Sequence, residues 1–495
     1  MKKIFTALLI ASSLTALLLN SSCKKDNFGN EALTFSTDTL TFDTVFTSLG
    51  STTRYFKVFN RTGKDIKIED LRLMHLVGNQ FRINVDGING DVFSGVEIPA
   101  KDSIYVFVEV TVDPTSASTP FVIIDDVSFI LNGEQKKVHL QAFGQNAHFH
   151  YGEEIKSGTT TWSNDLPHVI VSKDTIPGVY VRCGATLNIM PGSKVFFAGS
   201  SALFVEGTVN ALATNWADSI VFQGARLEPY YNDKPGQWFG LVFLRNSTCA
   251  PQGNFDHCII DESQYAIYAG GSVEFTSVQQ FQGTSLRPEV TVKNTIIKNT
   301  QYHAIQGFNA IIEVQNSIMY AAGDNLVKLW LGGDYAFRNC TLYNTGSKFV
   351  AHQKEVLLLN NAIVDGNNTA FPQDLKTVFE NCVIHGSLQN EVAFANINGV
   401  NTTGFDNNFT DCLIKTKSDT LGLYSNTKTN LLFNQDPRFK EPDKGRFVPS
   451  DSTGYFSPLI DASNSGLPTD IFGTARPVSK TGNATPYDIG AVEGQ

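Results

Sequence analysis

From residue 33 onward the chain alternates apolar and polar residues in short runs broken by turn residues. A period of two predicts strands rather than helices. Thr39-Leu40-Thr41-Phe42, Tyr55-Phe56-Lys57-Val58-Phe59, Ile66-Lys67-Ile68, Ser103 to Val110 and Asp126 to Ile130 are strand candidates. Asn60-Arg61-Thr62-Gly63 and Leu131-Asn132-Gly133-Glu134 read as turns, the second with the Asn-Gly signature of a tight hairpin. About seven strands over residues 33–145 predict a β-sandwich. No cysteine lies between Cys23 and Cys183, so the sandwich is expected to lack an inter-sheet disulfide.

Past about residue 177 the rhythm changes. Gly184, Gly192, Gly199, Gly207 and Gly224 punctuate short apolar strands, and then a motif recurs. It runs apolar, variable, Asn or a substitute, small, then two mostly apolar residues. The copies are Phe255–Ile260, Val292–Ile297, Val314–Met319, Phe337–Leu342, Leu359–Val364, Phe379–Ile384 and Phe409–Ile414. Successive small residues are 37, 22, 23, 22, 20 and 30 positions apart. A period near 22 predicts one coil of a parallel solenoid, with longer gaps for coils that carry loops. Asn tolerates the left-handed corner such a coil needs, and stacked Asn amides can bond from rung to rung. The small residue suits a crowded interior corner, and the last position fills the core.

This repeat resembles the right-handed parallel β-helix superfamily that includes the pectate lyases. "GATLNIMPGSKVFF" and "PGQWFGLVF" match turns of that group, and the likeness covers about residues 177–440. "FDTVFTSLGSTTRYFKVFNRTGKDIKIEDL" is similar to bacterial immunoglobulin-like domains. "DPRF", "SPLIDASNSGLPTDIFGTARP" and "YDIGAVE" resemble the segment that ends many bacterial β-helix surface proteins, with Ala462 where that group has Gly. The expected fold is therefore all-β, an immunoglobulin-like sandwich followed by a right-handed parallel β-helix. Residues 146–176 read as a linker and 441–495 as a cap over the last coil. Among Asp461, Asp470, Arg476, Asp488 and Glu493, Asp–Arg pairing within that cap is expected.

The first 22 residues stand apart. Lys2 and Lys3 precede an apolar stretch from Ile4 to Leu19, too short for an ordinary membrane span. "LNSSC" resembles a lipoprotein signal that ends at an acylated cysteine, Cys23, although Asn20 stands where that family prefers Leu. Residues 23–32 read as a flexible tether. Lipid on Cys23 implies a membrane-anchored protein. Lys24 is not the Asp that retains such proteins at the inner membrane, which favours the outer one.

Composition narrows the function. Beyond the leader the chain has 36 basic against 48 acidic residues and no basic run, which argues against nucleic-acid binding. Seven cysteines invite disulfide arithmetic. Cys258, Cys340, Cys382 and Cys412 occupy the small position of the motif and read as interior residues. Cys183 and Cys249 fall outside the register, and a bridge to Cys249 stays open. His148 and His150 are two apart, but no third metal ligand is evident, and metal is not expected.

Catalytic signatures are sparse. The resemblance implies lyases or hydrolases, yet the clustered Asp motifs of the hydrolases are absent, and Asp125-Asp126 lies in the sandwich. A lyase would need a basic residue with Ca²⁺ held by carboxylates. Lys293, Lys298, Tyr302 and His303 lie close around one coil and are the candidates for one groove. Tyr230 and Tyr231, in "RLEPYYNDKPGQWFG", are candidates for stacking on a sugar, whereas Trp238 is expected to be buried. The insertion at 269–290 is a candidate binding loop. Three readings follow: a non-catalytic envelope lipoprotein that binds polysaccharide or another surface; a polysaccharide lyase or hydrolase; a purely structural surface protein. None requires a cofactor, apart from Ca²⁺ in the lyase case.

Overall fold

A computed structural model describes residues 33–76, 78–115, 119–245, 248–270, 286–364, 370–397, 404–417, 427–478 and 487–494. The leader, the tether with Cys23 and most of the 269–290 insertion lie outside these residues. The chain divides into two compact units, residues 1–145 and 146–495.

The first unit is a β-sandwich of two five-stranded sheets. Alternation decides which side chains enter its core. Ile66–Leu73 buries Ile66, Ile68, Leu71 and Leu73, and Ser103–Val110 buries Ile104, Val106, Val108 and Val110. Phe42, Phe56, Phe81 and Phe129 fill the centre. The Asn132-Gly133 hairpin forms as expected, with both residues at positive φ (52° and 79°) and Leu131 paired to Glu134. Pairing is antiparallel except between Thr39–Phe46 and Glu134–Gln145, which run parallel.

The second unit is a parallel β-helix. Parallel strands build one 11-stranded and one 17-stranded sheet. Most coils place one strand in the first sheet and two in the second, so three strands make a rung. The core is a continuous column running from Ile155 to Ile414. It holds Trp238, fully buried, stacked on Phe197 at 3.9 Å and donating its indole N–H to the Asp261 carbonyl at 2.7 Å.

The corner motif works as its chemistry suggests. His257, Asn294, Asn316, Asn339, Asn381 and Asp411 all have φ between 43° and 58°. Stacking forces this one residue per coil into the left-handed region, which Asn and Asp tolerate best. Cys258, Cys340, Cys382 and Cys412 are buried free thiols behind that corner.

Four expectations are corrected. The linker at 146–176 is the first turn of the β-helix: His148–Tyr151 pairs in parallel with His168–Val171, and Gly158–Trp162 with Ala185–Ile189. Apart from His168–Val171 its strands are largely polar, none carries the motif, and each stacks on the next coil. The copy at Leu359–Val364 is out of register. Leu357–Asn360 pairs with Val327–Leu329 and Val392–Ala395, while Phe337-Arg338 pairs with Phe379-Glu380. The coil between Cys340 and Cys382 is thus one long coil, and Asn360 caps the Ala362 N–H at 2.7 Å, ordinary turn chemistry. A copy the pattern missed, with Leu where the small residue stands, continues the ladder at Asn430, φ 50°. Cys183 and Cys249, outside the register, are disulfide-bonded.

The fourth correction concerns residues 441–495, which lie along a flank of the β-helix. Phe447, Leu459, Ile471 and Ile489, with neighbouring Phe439, pack on outward-facing Ile318, Val383 and Leu413. The segment also bonds to the corner residues coil by coil. Asn316 donates to the Thr469 carbonyl (2.9 Å), Asn381 to the Asp488 carbonyl (3.2 Å) and Asn430 to the Ala462 carbonyl (2.9 Å). Asn339 accepts from the Leu467 N–H (3.1 Å), and the Trp216 indole donates to the Ile471 carbonyl (2.6 Å). Corner amides therefore serve this strap as well as each other. Bonding from rung to rung joins the corners Asn430 and Asp411 at 2.6 Å and also runs along a second row, where Asn254 donates to Asn210 and Asn210 to Asn188, each at 2.9 Å. Within the strap Arg476 pairs with Glu493 rather than with an Asp.

Candidate functional site

The position three residues after the small residue of the motif faces outward on the 11-stranded sheet. Register aligns Asp261, Lys298, Tyr320, Tyr343 and His385 in one row across successive coils. Three loops rise around this row: residues 229–233, residues 345–349, and the strap turn 442–447. They enclose a groove of about 720 Å³. Its floor is Lys298, Asn299, Tyr320 and Tyr343; its walls carry Asn232, Asp233, Lys348, Phe349, Asp443 and Lys444.

Charge is anchored at one end. The Lys298 ammonium lies 2.7 Å from Asp233 and 2.8 Å from Asp261. Asn299 donates to the same two carboxylates at 2.8 and 2.9 Å. Burial alone would lower the Lys298 pKa, but the two carboxylates outweigh it and raise it. The amine stays protonated, so it cannot take a proton from substrate. Asp261 is pushed up by burial. Asp233 also feels burial, yet Lys298 and Asn299 hold it below its usual value.

Behind this cluster Glu262 turns the corner at φ 65°. It accepts the Asp233 N–H at 2.9 Å and the Gly224 N–H at 3.3 Å, fixing the loop that walls the groove. Burial, then the charge of Asp261, pushes its pKa from 4.5 to about 8. The folded chain thus holds this proton more tightly than the unfolded one. Its stabilising contribution is complete below the unfolded value and is lost as pH rises through about 8. Glu262→Gln is expected to flatten that part of the profile. Thermal midpoints of both proteins between pH 5 and 8.5 check this, and parallel profiles would contradict it.

The residues singled out by sequence are dispersed. Lys298 is in the groove. Lys293 ends the strand Glu289–Lys293, before the Asn294 corner, on another face. Tyr302 lies past the next corner and stacks on Tyr265 at 4.9 Å. His303 is 3% exposed and donates from Nδ1 to the Asn325 carbonyl at 2.7 Å; burial lowers its pKa to about 4. These four do not share one groove. Tyr230 and Tyr231 sit in the stretch that forms the first groove wall, where Lys234 lies 4.4 Å over Tyr230 and Arg226 4.5 Å over Tyr231. Tyr230 is 67% exposed.

Sequence reading missed Tyr320, Tyr343 and Asp233. The two tyrosines had a signal, since both stand three places after the small residue of a motif copy. Asp233 had none, because only the fold brings its loop to Lys298. Near the start of the β-helix His150 and His168 bond ring to ring at 3.0 Å and stack on Trp162. Among the described residues no group of three or more His, Cys, Asp or Glu is arranged to hold a metal. Among them, too, no helix is long and apolar enough to cross a membrane.

No protein-family model matches this sequence, and no curated protein does. Solved structures match only distantly. One is a family 123 glycoside hydrolase from Clostridium perfringens, 6% identical over 24% of this chain, with a TM-score of 0.17. That match takes in 30% of the hydrolase's length. Another is the catalytic domain of a GH87 α-1,3-glucanase in complex with nigerose, 9% identical over 81% of this chain and 92% of that one, also at a TM-score of 0.17.

Proposed function

We propose that this protein binds a glycan chain in the groove over Tyr320 and Tyr343, without cleaving it. One observation carries the reading: a row of tyrosines set in register beside a cluster of hydrogen-bonding groups. Aromatic rings offer apolar faces with a polar handle, and Asn232, Asp233, Asn299 and Lys348 stand where hydroxyls need partners. A lyase needs a free base, whereas Lys298 is committed to two carboxylates. Lipid on Cys23 would tether the chain to the outer membrane, with the sandwich, immunoglobulin-like in rhythm, as the stalk.

Affinity electrophoresis and calorimetry against a panel of polysaccharides test the reading. At least one glycan should bind, and Tyr320→Ala and Tyr343→Ala should each weaken it about tenfold, which is about 1.4 kcal/mol. Tyr302→Ala, on another face, should leave it unchanged. Release of unsaturated sugars in the presence of Ca²⁺ would favour a lyase. Binding that ignores both groove variants, or no binding at all, would remove the proposal.

A further inference from the structure

A second cluster brings His352, on the coil between Cys340 and Cys382, against Ser387 and Glu391, which follow Cys382. Ser387 follows the strand Val383–Gly386 and is exposed. Its hydroxyl is 2.8 Å from His352 Nδ1. The Ser387 backbone N–H also points at that nitrogen, at 3.4 Å. Nδ1 is therefore the acceptor of the ring, and the ring proton sits on Nε2. Nε2 lies 3.4 Å from Glu391 Oε2 and has no hydrogen-bond partner. The side chains of His352 and Glu391 are 1% and 0% exposed. An exposed hydroxyl, a buried imidazole and a buried carboxyl group thus follow one another in a line.

The surroundings hold this arrangement in place. Glu391 accepts the Leu388 N–H at 2.7 Å and the Val356 N–H at 3.2 Å, which orients its carboxyl group. Gly386 must be glycine: a Cβ there would lie 2.5 Å from Glu391 Oε1 and 2.7 Å from the His352 ring. The Lys415 ammonium bonds the Gly386 carbonyl at 2.7 Å and brings positive charge next to Ser387. Burial lowers the His352 pKa, which favours the neutral imidazole, the form that can accept a proton.

We propose that Ser387, His352 and Glu391 form a nucleophilic relay that hydrolyses carboxylic esters at the surface of the β-helix. Ser387 Oγ bonds to the ester carbonyl carbon and gives its proton to His352 Nδ1, while the carbonyl π pair moves onto oxygen. The intermediate collapses, the bond to the alkoxy oxygen breaks, and the departing alcohol takes the proton from His352. Water then repeats the sequence on the acyl-serine, releasing the carboxylic acid and restoring Ser387. The net reaction is ester plus water to acid plus alcohol. Glu391 orients the ring; burial pushes its pKa up to about 8, so it holds the ring as a neutral carboxyl group at neutral pH and steadies the imidazolium as a carboxylate only at higher pH. The two ring nitrogens exchange their usual places, Nδ1 serving the nucleophile and Nε2 the carboxyl group.

The relay does not depend on glycan binding in the groove, so the two readings fail separately. The full chain is treated with a fluorophosphonate reporter and, in parallel, with p-nitrophenyl acetate. The adduct is expected on the peptide that contains Ser387, with hydrolysis above the heat-denatured control. Ser387→Ala, at an exposed position, should abolish both. His352→Gln should slow labelling at least tenfold while its unfolding midpoint shows that it folds. Ser94→Ala, in the strand Val92–Ile98 of the sandwich, should label like the wild type. An unlabelled Ser387, or a Ser387→Ala protein that hydrolyses the ester at the wild-type rate, would overturn the proposal.

Discussion

Arg476→Ala is expected to destabilise the β-helix by about 3–5 kcal/mol, the usual result of leaving a buried ion without its partner. Arg476 Nε lies 3.0 Å from Glu493 Oε2, and both side chains are fully buried. Its Nη2 also donates to the Gly490 carbonyl at 2.9 Å. Truncation leaves Glu493 in a site where burial already raises its pKa. Glu493 then either carries an uncompensated charge or takes up a proton, and the Val478 N–H it holds at 3.0 Å loses a charged acceptor. Denaturant unfolding of the full chain gives the magnitude. The double variant Arg476→Met, Glu493→Gln should recover much of the loss, because the desolvation penalty disappears with the charges. A change below about 1 kcal/mol in the single variant would mean that water reaches the pair.

The site of that pair shows why the end of the chain was misjudged from sequence. Asp461, Asp470, Arg476, Asp488 and Glu493 do bond among themselves, but the ion pair is Arg476–Glu493 and not the Asp–Arg pairing expected. Where the segment lies is not local information. It depends on Ile318, Val383 and Leu413, which stand just after the small residue of the motif and look like ordinary core positions. Asn316, Asn339, Asn381 and Asn430 advertise a left-handed corner, and that backbone property is local. Their side-chain partners are set by whatever packs outside.

The same division separates the rest. A left-handed Asn with a small residue behind it is imposed on each coil by stacking, so it recurs and can be read. The turn at 359–364 imitates it, because Asn360, two places before Ala362, caps an unrelated corner there. Residues 148–171 carry no repeat and are ordered by the coil that follows. The groove combines both kinds. Its floor repeats with the coils, so Tyr320 and Tyr343 were legible in principle. Its walls come from three loops far apart in the chain, and Asp233 meets Lys298 only once those loops are folded.

A second large effect is expected at the core ladder. Phe337, Phe379 and Phe409 are fully buried and stack in sequence, with ring centroids 5.0 Å apart at both steps and interplanar angles of 11° and 7°. Phe379→Ala removes the middle ring and leaves a void between two rungs that backbone hydrogen bonds hold at fixed spacing. Little collapse is available, so the cost should be about 3–5 kcal/mol. In a solenoid each coil is stabilised chiefly by its neighbours. The loss should therefore be local. Phe405–Thr410 and Leu413–Ile414 lie beyond the void and rest on it through the pairings at Phe379 and Val383. Hydrogen exchange in those strands should accelerate, while Lys194–Ala198 and Ile220–Gly224 keep their protection. The strap sets the limit to this fraying, since it bonds to Asn316, Asn381 and Asn430 and so couples coils that do not touch. Adding Arg476→Ala to Phe379→Ala should release that restraint and spread rapid exchange to Ile318–Ala322. Uniform acceleration over the whole β-helix in Phe379→Ala alone would mean that the coils unfold as one unit and that the strap limits nothing.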